Sequence, residues 1–167
     1  MLIINKNNEN QKTEIFNESI PEGWTDQIPN PLYPNKWEND EWVTDISKFR
    51  EMKKQSILDG FNNELQTGHF MSTAIGIEVD CRRTTSKNDL QNVQGLLSNF
   101  NRKSKIDVPY VGYTEIATNI KAQDLEDLSH EMEDYFLSLY EKKWVLQTSV
   151  EACTTIEELN AISWEEV

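Results

Sequence analysis

Basic side chains are scarce in this chain. Its 167 residues include 16 lysines and arginines against 29 aspartates and glutamates, which gives a formal net charge of -13. Affinity for nucleic acid comes largely from lysines and arginines that displace counterions from phosphates, so an electrostatic field of this sign excludes DNA and RNA as expected partners. The basic cluster at residues 102–105 is short, and we interpret it as a solvated loop.

Long apolar runs are absent as well. A membrane-spanning helix needs roughly 20 consecutive apolar residues, and the apolar stretches here are only a few residues long. Hydrophobic residues still make up 37% and charged residues 27% of the chain, a composition that is typical neither of disordered chains nor of membrane proteins. We therefore expect a soluble folded protein, long enough to bury a core, with no membrane partner.

The side chains that carry most metal and nucleophile chemistry are few and scattered. The two cysteines, Cys81 and Cys153, and the two histidines, His69 and His130, have no metal-ligand spacing. The six glycines form no phosphate-binding loop. Both cysteines lie in apolar patterns and are predicted to be buried. We predict no catalytic residue, no metal and no cofactor.

One acidic pair has the spacing of a catalytic pair. Glu78 and Asp80 share one face of a predicted strand, but Arg82 lies on the same face, which favours an ion pair. A small hydrolase of cell-wall glycan would need two carboxylates across a cleft, and it is the enzyme alternative. Unchanged lytic activity after mutation of both acids would remove that alternative.

What the chain does contain is an N-terminal arm of distinct composition. Residues 1–44 hold four of the five prolines and three of the five tryptophans, as expected of a separate segment. The prolines exclude a helix, and residues 2–4 and 13–16 are strand candidates on either side of a polar linker. Asn39-Asp40 is a turn signal that predicts a hairpin over residues 36–43.

The proline-rich part of the arm, residues 21–44, carries four large aromatic residues, Trp24, Tyr33, Trp37 and Trp42. So small a segment cannot easily bury all four within itself. They either pack onto the helical part of the chain or anchor a partner protein, as tryptophan and tyrosine often do at interfaces. Both alternatives stay open, and these four residues are the predicted partner interface.

From residue 45 the apolar spacing becomes helical. Steps of three to five residues predict helices over 45–67, 90–100 and 122–150. Alternating apolar and polar residues from Ile75 to Cys81 predict a strand. Residues 108–120 are ambiguous between one or two short strands and a long loop, so the conformation of the 105–121 region stays open.

Local signals delimit the predicted helices. Thr44 or Asp45 caps the first helix and Gly68 ends it. Ser86 and Asp89 have capping-box spacing before the second helix, and residues 155–158 form a capping box that opens a short last helix.

The predicted fold is α+β, with two parts. Residues 45–167 form a mainly helical domain with a small antiparallel sheet, built from residues 71–82 and, where they are extended, residues 108–120. Residues 1–44 form a short β-rich or extended arm rich in proline and tryptophan.

Several segments of the chain resemble a known bacteriophage domain. The segments IEVDCRR (77–83) and DLQNVQGLL (89–97) look like the strand-then-helix signature of a widespread phage domain of unknown function. TTIEELNAISW (154–164) resembles its usual ending, a short helix closed by a tryptophan, and PNKWENDEWV (34–43) is similar to its lead-in. The resemblance covers about residues 45–164. Members of this family lie near the C-termini of phage tail, tail-fibre and tail-fibre-assembly proteins.

The resemblance implies association with a phage tail and supplies no established catalytic residue. We expect a structural tail protein, associated with a fibre or baseplate, that is made in the host cytoplasm and resides in the virion. Its aromatic arm would bind other tail proteins. The alternative is a tail-fibre assembly chaperone that is not retained in the finished virion. Packing of the 122–150 helix within one chain is favoured over self-association, with a homo-oligomer left open.

If the arm binds a partner, deletion of residues 1–44 leaves a folded helical domain that no longer co-purifies with tail components. Circular dichroism, thermal melting and pull-down with tail proteins test this expectation. A truncated protein that aggregates or melts far earlier would show that Trp37 and Trp42 belong to its own core.

Overall fold

The structure, a computed structural model, describes residues 2–14, 19–85, 88–103, 107–114 and 117–165, with the backbone alone for 100–103 and 117. It is mixed α+β with small antiparallel sheets, as predicted. The described elements are, in order, β1 (Leu2–Asn5), β2 (Asn8–Glu14), β3 (Trp24–Thr25), β4 (Asn35–Glu38), β5 (Glu41–Thr44), α1 (Ile46–Thr67), β6 (His69–Met71), β7 (Glu78–Asp80), α2 (Asp89–Lys103), β8 (Asp107–Val111), β9 (Ala117–Lys121), α3 (Ala122–Ala152) and α4 (Ile156–Asn160). None of these helices has the length and apolar character needed to cross a membrane.

Contacts divide the chain into two compact units. Unit 1 comprises Met1–Gln55 and Ser149–Ile162, and unit 2 comprises Ser56–Thr148 and Ser163–Val167. Residues of α1 and α3 therefore contribute to both units. The predicted boundary after residue 44 concerns independent folding and stays a prediction.

A three-stranded antiparallel sheet in the order β2-β1-β3 opens unit 1. Ile3 and Ile4 of β1 are buried, whereas β2 is polar and almost wholly exposed. The predicted polar linker before residue 13 was therefore wrong: most of it is β2. Its sequence has no period-two apolar pattern, and pairing with β1 makes it a strand. Residues 15 and 16 of the predicted second strand lie outside the described residues.

The hairpin predicted over residues 36–43 is confirmed as β4–β5, with Trp37 directly opposite Trp42. Asn39 and Asp40 at its turn both have positive φ, 51° and 62°. Two consecutive left-handed residues define the tight turn whose twist matches a hairpin. Asparagine and aspartate tolerate that conformation better than other non-glycine residues.

Side-chain caps mark the N-terminal starts of α1 and α4. Asp45 Oδ1 accepts the backbone N–H of Lys48 at 3.0 Å, as predicted for the start of α1. Thr155 and Glu158 form the predicted reciprocal capping box of α4. Backbone N–H groups of Thr154 and Thr155 lower the pKa of Glu158, because they stabilise its charged form.

The core of unit 2 is built on one buried stripe of α3. The stripe packs with apolar residues of α1, α2, β7, β8 and β9. Its members are Leu125, Leu128, Met132, Phe136 and Leu139. The three-four spacing that predicted this helix therefore marks the face that is buried.

The single sheet predicted from residues 71–82 and 108–120 was wrong: the described strands of unit 2 form two separate hairpins, β6–β7 and β8–β9. The strand predicted from Ile75 to Cys81 shortens to β7, because residues 73–77 form the turn, in which Gly76 has φ +67°. The ambiguous 108–120 region is the hairpin β8–β9, with Val108 opposite Ile120. Ser86 of the predicted capping box lies outside the described residues.

A glycine inside α1 is explained by a tryptophan far along the chain. A Cβ on Gly60 would lie 2.5 Å from Cγ of Trp164. The Trp164 ring lies edge-on to Phe61, with centroids 6.1 Å apart, and Lys142 Nζ lies 4.8 Å from its centroid. Close approach of this ring, rather than a turn, therefore requires glycine at position 60.

We predict that Gly60→Ala lowers the free energy of unfolding by about 1 to 3 kcal/mol, because the methyl group overpacks against Trp164. Gly95→Ala in α2 is the matched control, since a Cβ there meets nothing within 4 Å. It should stabilise the protein by up to about 1 kcal/mol through helix propensity. Urea unfolding of both variants measures the difference, and equal stabilisation by the two substitutions would contradict this account of Gly60.

Candidate interaction surface

Two predicted interface residues form the aromatic pair of the β4–β5 hairpin. The rings of Trp37 and Trp42 meet edge to face, with centroids 5.4 Å apart, a favourable geometry for a cross-strand aromatic pair. Lys6 Nζ lies 4.6 Å from the Trp37 centroid. Trp42 Nε1 donates to the carbonyl of Gln27 at 3.0 Å. Both tryptophans are half-buried, and these contacts fix their orientation.

Tyr33 and Trp24 lie elsewhere in unit 1. The Tyr33 ring packs edge-on against Phe49 of α1, with centroids 5.3 Å apart, and its hydroxyl accepts from Asn160 Nδ2 at 3.0 Å. Trp24 lies on β3 opposite Asn5 of β1. Both residues are half-buried. Tyr33, Trp37 and Trp42 thus pack within the unit, and the role of all four residues toward a partner stays a prediction.

The loop over residues 27–34 is held at both ends by side-chain amides. Gln27 Nε2 donates to the carbonyl of Asp40 at 3.1 Å. Asn35 Nδ2 lies within hydrogen-bond distance of Glu9 Oε2 and of the carbonyls of Asn30 and Tyr33, at 2.8, 2.7 and 2.6 Å. A loop with fixed ends and three prolines loses little conformational entropy on binding.

This loop presents two aliphatic side chains that sequence reasoning missed. Ile28 is 74% exposed and Leu32 is 77% exposed. Beside them lies a groove of about 220 Å³ between the loop and β2, lined by Glu9, Asn10, Lys12, Ile28, Pro29, Asn30, Pro31 and Tyr33. Their position next to prolines, Ile28 before Pro29 and Leu32 after Pro31, was the available signal, because a proline-rich loop is poorly placed to bury its apolar residues. We call Ile28, Leu32 and this groove the loop surface.

Of the predicted acidic pair on β7, Asp80 forms an ion pair with Arg82 and Glu78 does not. Asp80 is buried, and both its carboxylate oxygens accept from Arg82, at 2.8 and 2.5 Å. Hydrogen bonding to Asp80 raises the pKa of Arg82. Glu78 instead lies 3.9 Å from His69 Nε2, and the His69 ring stacks on Tyr113 at 4.2 Å.

The two cysteines are buried, as predicted. Cys81 and Cys153 are also both unpaired. Burial raises the pKa of the Cys81 thiol to about 12, and the carboxylates of Asp80 and Asp89 add to the effect. His130 is exposed on α3. Among the described residues no group of three or more histidines, cysteines and acids is placed to hold a metal ion.

A carboxylate on α3 holds the turn between β6 and β7. Glu131 accepts hydrogen bonds from the hydroxyls of Ser72 and Thr73. It also accepts from the backbone N–H groups of Thr73 and Ala74, at 3.0 and 3.1 Å. Partial burial raises the pKa of Glu131, but these donors outweigh it, so the pKa lies below its usual value. The cluster therefore ties the β6–β7 hairpin to α3.

No protein-family model, no curated protein and no solved structure matches this chain. The resemblance to the phage tail domain therefore stays an interpretation of the sequence.

We predict that Glu131→Gln destabilises the protein by about 1 to 2 kcal/mol at pH 7, because charge-assisted hydrogen bonds are lost. The folded pKa is depressed, so this contribution is present above the unfolded pKa of about 4.3 and disappears as pH falls through the folded pKa. Urea unfolding from pH 7 to pH 3 should show the wild type and variant converging at low pH. Glu126→Gln, an exposed position on the same helix, is the control, and an equal loss there would contradict the prediction.

Proposed function

We propose that this protein is a structural component of a bacteriophage tail that binds another tail protein, of a fibre or baseplate, through the loop surface of unit 1. The observation that carries the binding role is the pair of exposed aliphatic side chains, Ile28 and Leu32, on a loop whose ends are held by hydrogen bonds. The sequence resemblance described above supports the choice of a phage tail.

The chemistry of this surface is that of a protein interface. Apolar side chains that stay exposed on an ordered loop gain free energy when a partner covers them, at about 25 cal/mol per Å² of apolar area. Pro29 is buried, whereas Ile28 before it and Leu32 after it in the sequence are exposed. The half-buried ring of Tyr33 lines the same groove, and tyrosine is among the residues that dominate binding energy at interfaces.

The net charge of -13 disfavours acidic partners, but it does not identify the partner. A strongly acidic protein stays soluble at high local concentration and repels other acidic chains. The binding site therefore relies on shape and apolar contact, with polar groups such as Asn10 and Lys12 at the rim of the groove.

Quantitative mass spectrometry of purified, finished phage particles tests the proposal. A fixed small number of copies per tail is the expected result. Presence in the infected-cell lysate with absence from the particle would favour the assembly chaperone. Absence from both would contradict a role in the tail.

Substitution of the loop surface tests the binding role separately. We expect Ile28→Ser with Leu32→Ser to reduce incorporation into particles at least about tenfold, as loss of central apolar contacts does, with little change in thermal stability. Met52→Ser with Met71→Ser removes side chains that are 53% and 61% exposed and is the matched control. Equal incorporation of both double variants would show that the loop surface is not the interface.

A further inference from the structure

The outer face of α3 carries apolar side chains that unit 2 leaves exposed. Leu137, Trp144 and Val145 are 51%, 55% and 60% exposed. They lie opposite the buried stripe of the same helix, and Leu137 and Trp144 are separated by two helical turns. The Trp144 ring contacts Tyr140 at a centroid distance of 5.9 Å. Tryptophan is among the residues that dominate binding energy at interfaces, so Trp144, with Leu137 and Val145 on the same side of the helix, offers apolar area to a partner.

Carboxylates surround these apolar residues and extend along the helix. The exposed acids of this face are Glu126, Asp127, Glu133, Asp134 and Glu141. The lysines of α3 point elsewhere: Lys142 Nζ lies 4.8 Å from the Trp164 centroid, and Lys143 Nζ lies 4.3 Å from the Phe61 centroid. The outer face is therefore both acidic and apolar, with His130 as its remaining basic residue.

The acidic end of this face borders a groove between α2 and α3. The groove measures about 390 Å³ and is lined by Leu97, Ala122, Gln123, Glu126, Ser129, His130 and Glu133. From Glu126 to Val145 the face is about 28 Å long at the rise of an α-helix. A partner that covers it needs positive charge along its length and apolar side chains opposite Leu137, Trp144 and Val145.

The spacing of the face indicates a helical partner. Leu137 and Trp144 are both exposed and lie seven residues apart on α3, which is one heptad. A helix packed nearly parallel to α3 can contact both with apolar residues of its own that are one heptad apart. A second copy of this chain would present the same carboxylates at a net charge of -13, so like charges oppose self-association.

We propose that the outer face of α3, from Glu126 to Val145, binds a basic amphipathic helix of a partner protein. Lysines or arginines of that helix pair with Glu126, Asp134 and Glu141, and its apolar face covers Leu137, Trp144 and Val145. This surface belongs to unit 2 and does not depend on the proposed tail function.

Titration with a synthetic 18-residue helical peptide of leucine and lysine tests the proposal on the full chain. Nitrogen-15 NMR should show chemical-shift changes concentrated at residues 126–148 and at Leu97. A scrambled peptide of the same composition, which has no apolar face, should bind at least about tenfold more weakly. Equal binding of the two peptides would overturn the proposal.

Matched variants locate the binding energy. Leu137→Ala with Trp144→Ala should weaken peptide binding at least about tenfold, whereas Met52→Ala with Leu58→Ala, at exposed positions of α1, should leave it within about twofold. Asp134→Asn with Glu141→Gln should weaken binding and reduce its salt dependence. Glu22→Gln with Asp26→Asn, both exposed, removes the same charge from unit 1. It should change neither the peptide affinity nor its salt dependence.

Two results would contradict the assignment. If Glu22→Gln with Asp26→Asn weakened peptide binding as much as Asp134→Asn with Glu141→Gln, the peptide would be attracted by the net charge of the protein alone. Sedimentation equilibrium tests for a dimer. If the protein dimerised with increasing concentration and Leu137→Ala with Trp144→Ala abolished the dimer, a second copy would cover the face.

Discussion

The buried stripe of α3 is the constraint on which the core of unit 2 depends. Isolated two-stranded hairpins are marginal in water, and both hairpins of this unit have only two strands. Their apolar residues, such as Val79 and Val108, are buried in the same cluster as Leu128 and Met132 of the helix. Glu131, on the same helix, fixes the β6–β7 turn through hydrogen bonds. One long helix therefore supplies both the apolar support and the polar tie for strands that could not persist alone.

Several local signals predicted the structure, whereas features that depend on distant residues were missed. Asp45, the Thr155–Glu158 box and the Asn39-Asp40 turn each act within a few residues, so their spacing predicted the structure. The strand character of β2 depends on its pairing with β1, and no pattern within β2 reveals it. The need for glycine at position 60 depends on Trp164, about a hundred positions later, and is invisible to any local pattern.

The exposed aliphatic side chains of the arm were missed for a related reason. Sequence reasoning selected Trp24, Tyr33, Trp37 and Trp42 because aromatic residues are large and often bind partners. In the structure several of them use their rings and polar groups within unit 1. The most exposed apolar side chains of the arm, Ile28 and Leu32, are aliphatic and lie next to prolines. Residue type drew attention to the aromatic side chains, but the exposed fraction of each side chain depends on tertiary contacts that the sequence does not show.

The positions of the cysteines give each unit an internal chemical reporter. Cys153 lies in unit 1 and Cys81 in unit 2, and both thiols are buried. A thiol reagent reacts with thiolate that solvent can reach, so alkylation of either residue requires local opening of the structure around it. The elevated pKa of Cys81 slows its reaction further as long as the core is closed. Pulsed alkylation read out by peptide mass would therefore record the opening of the two units separately in the unmodified natural sequence, without an introduced label.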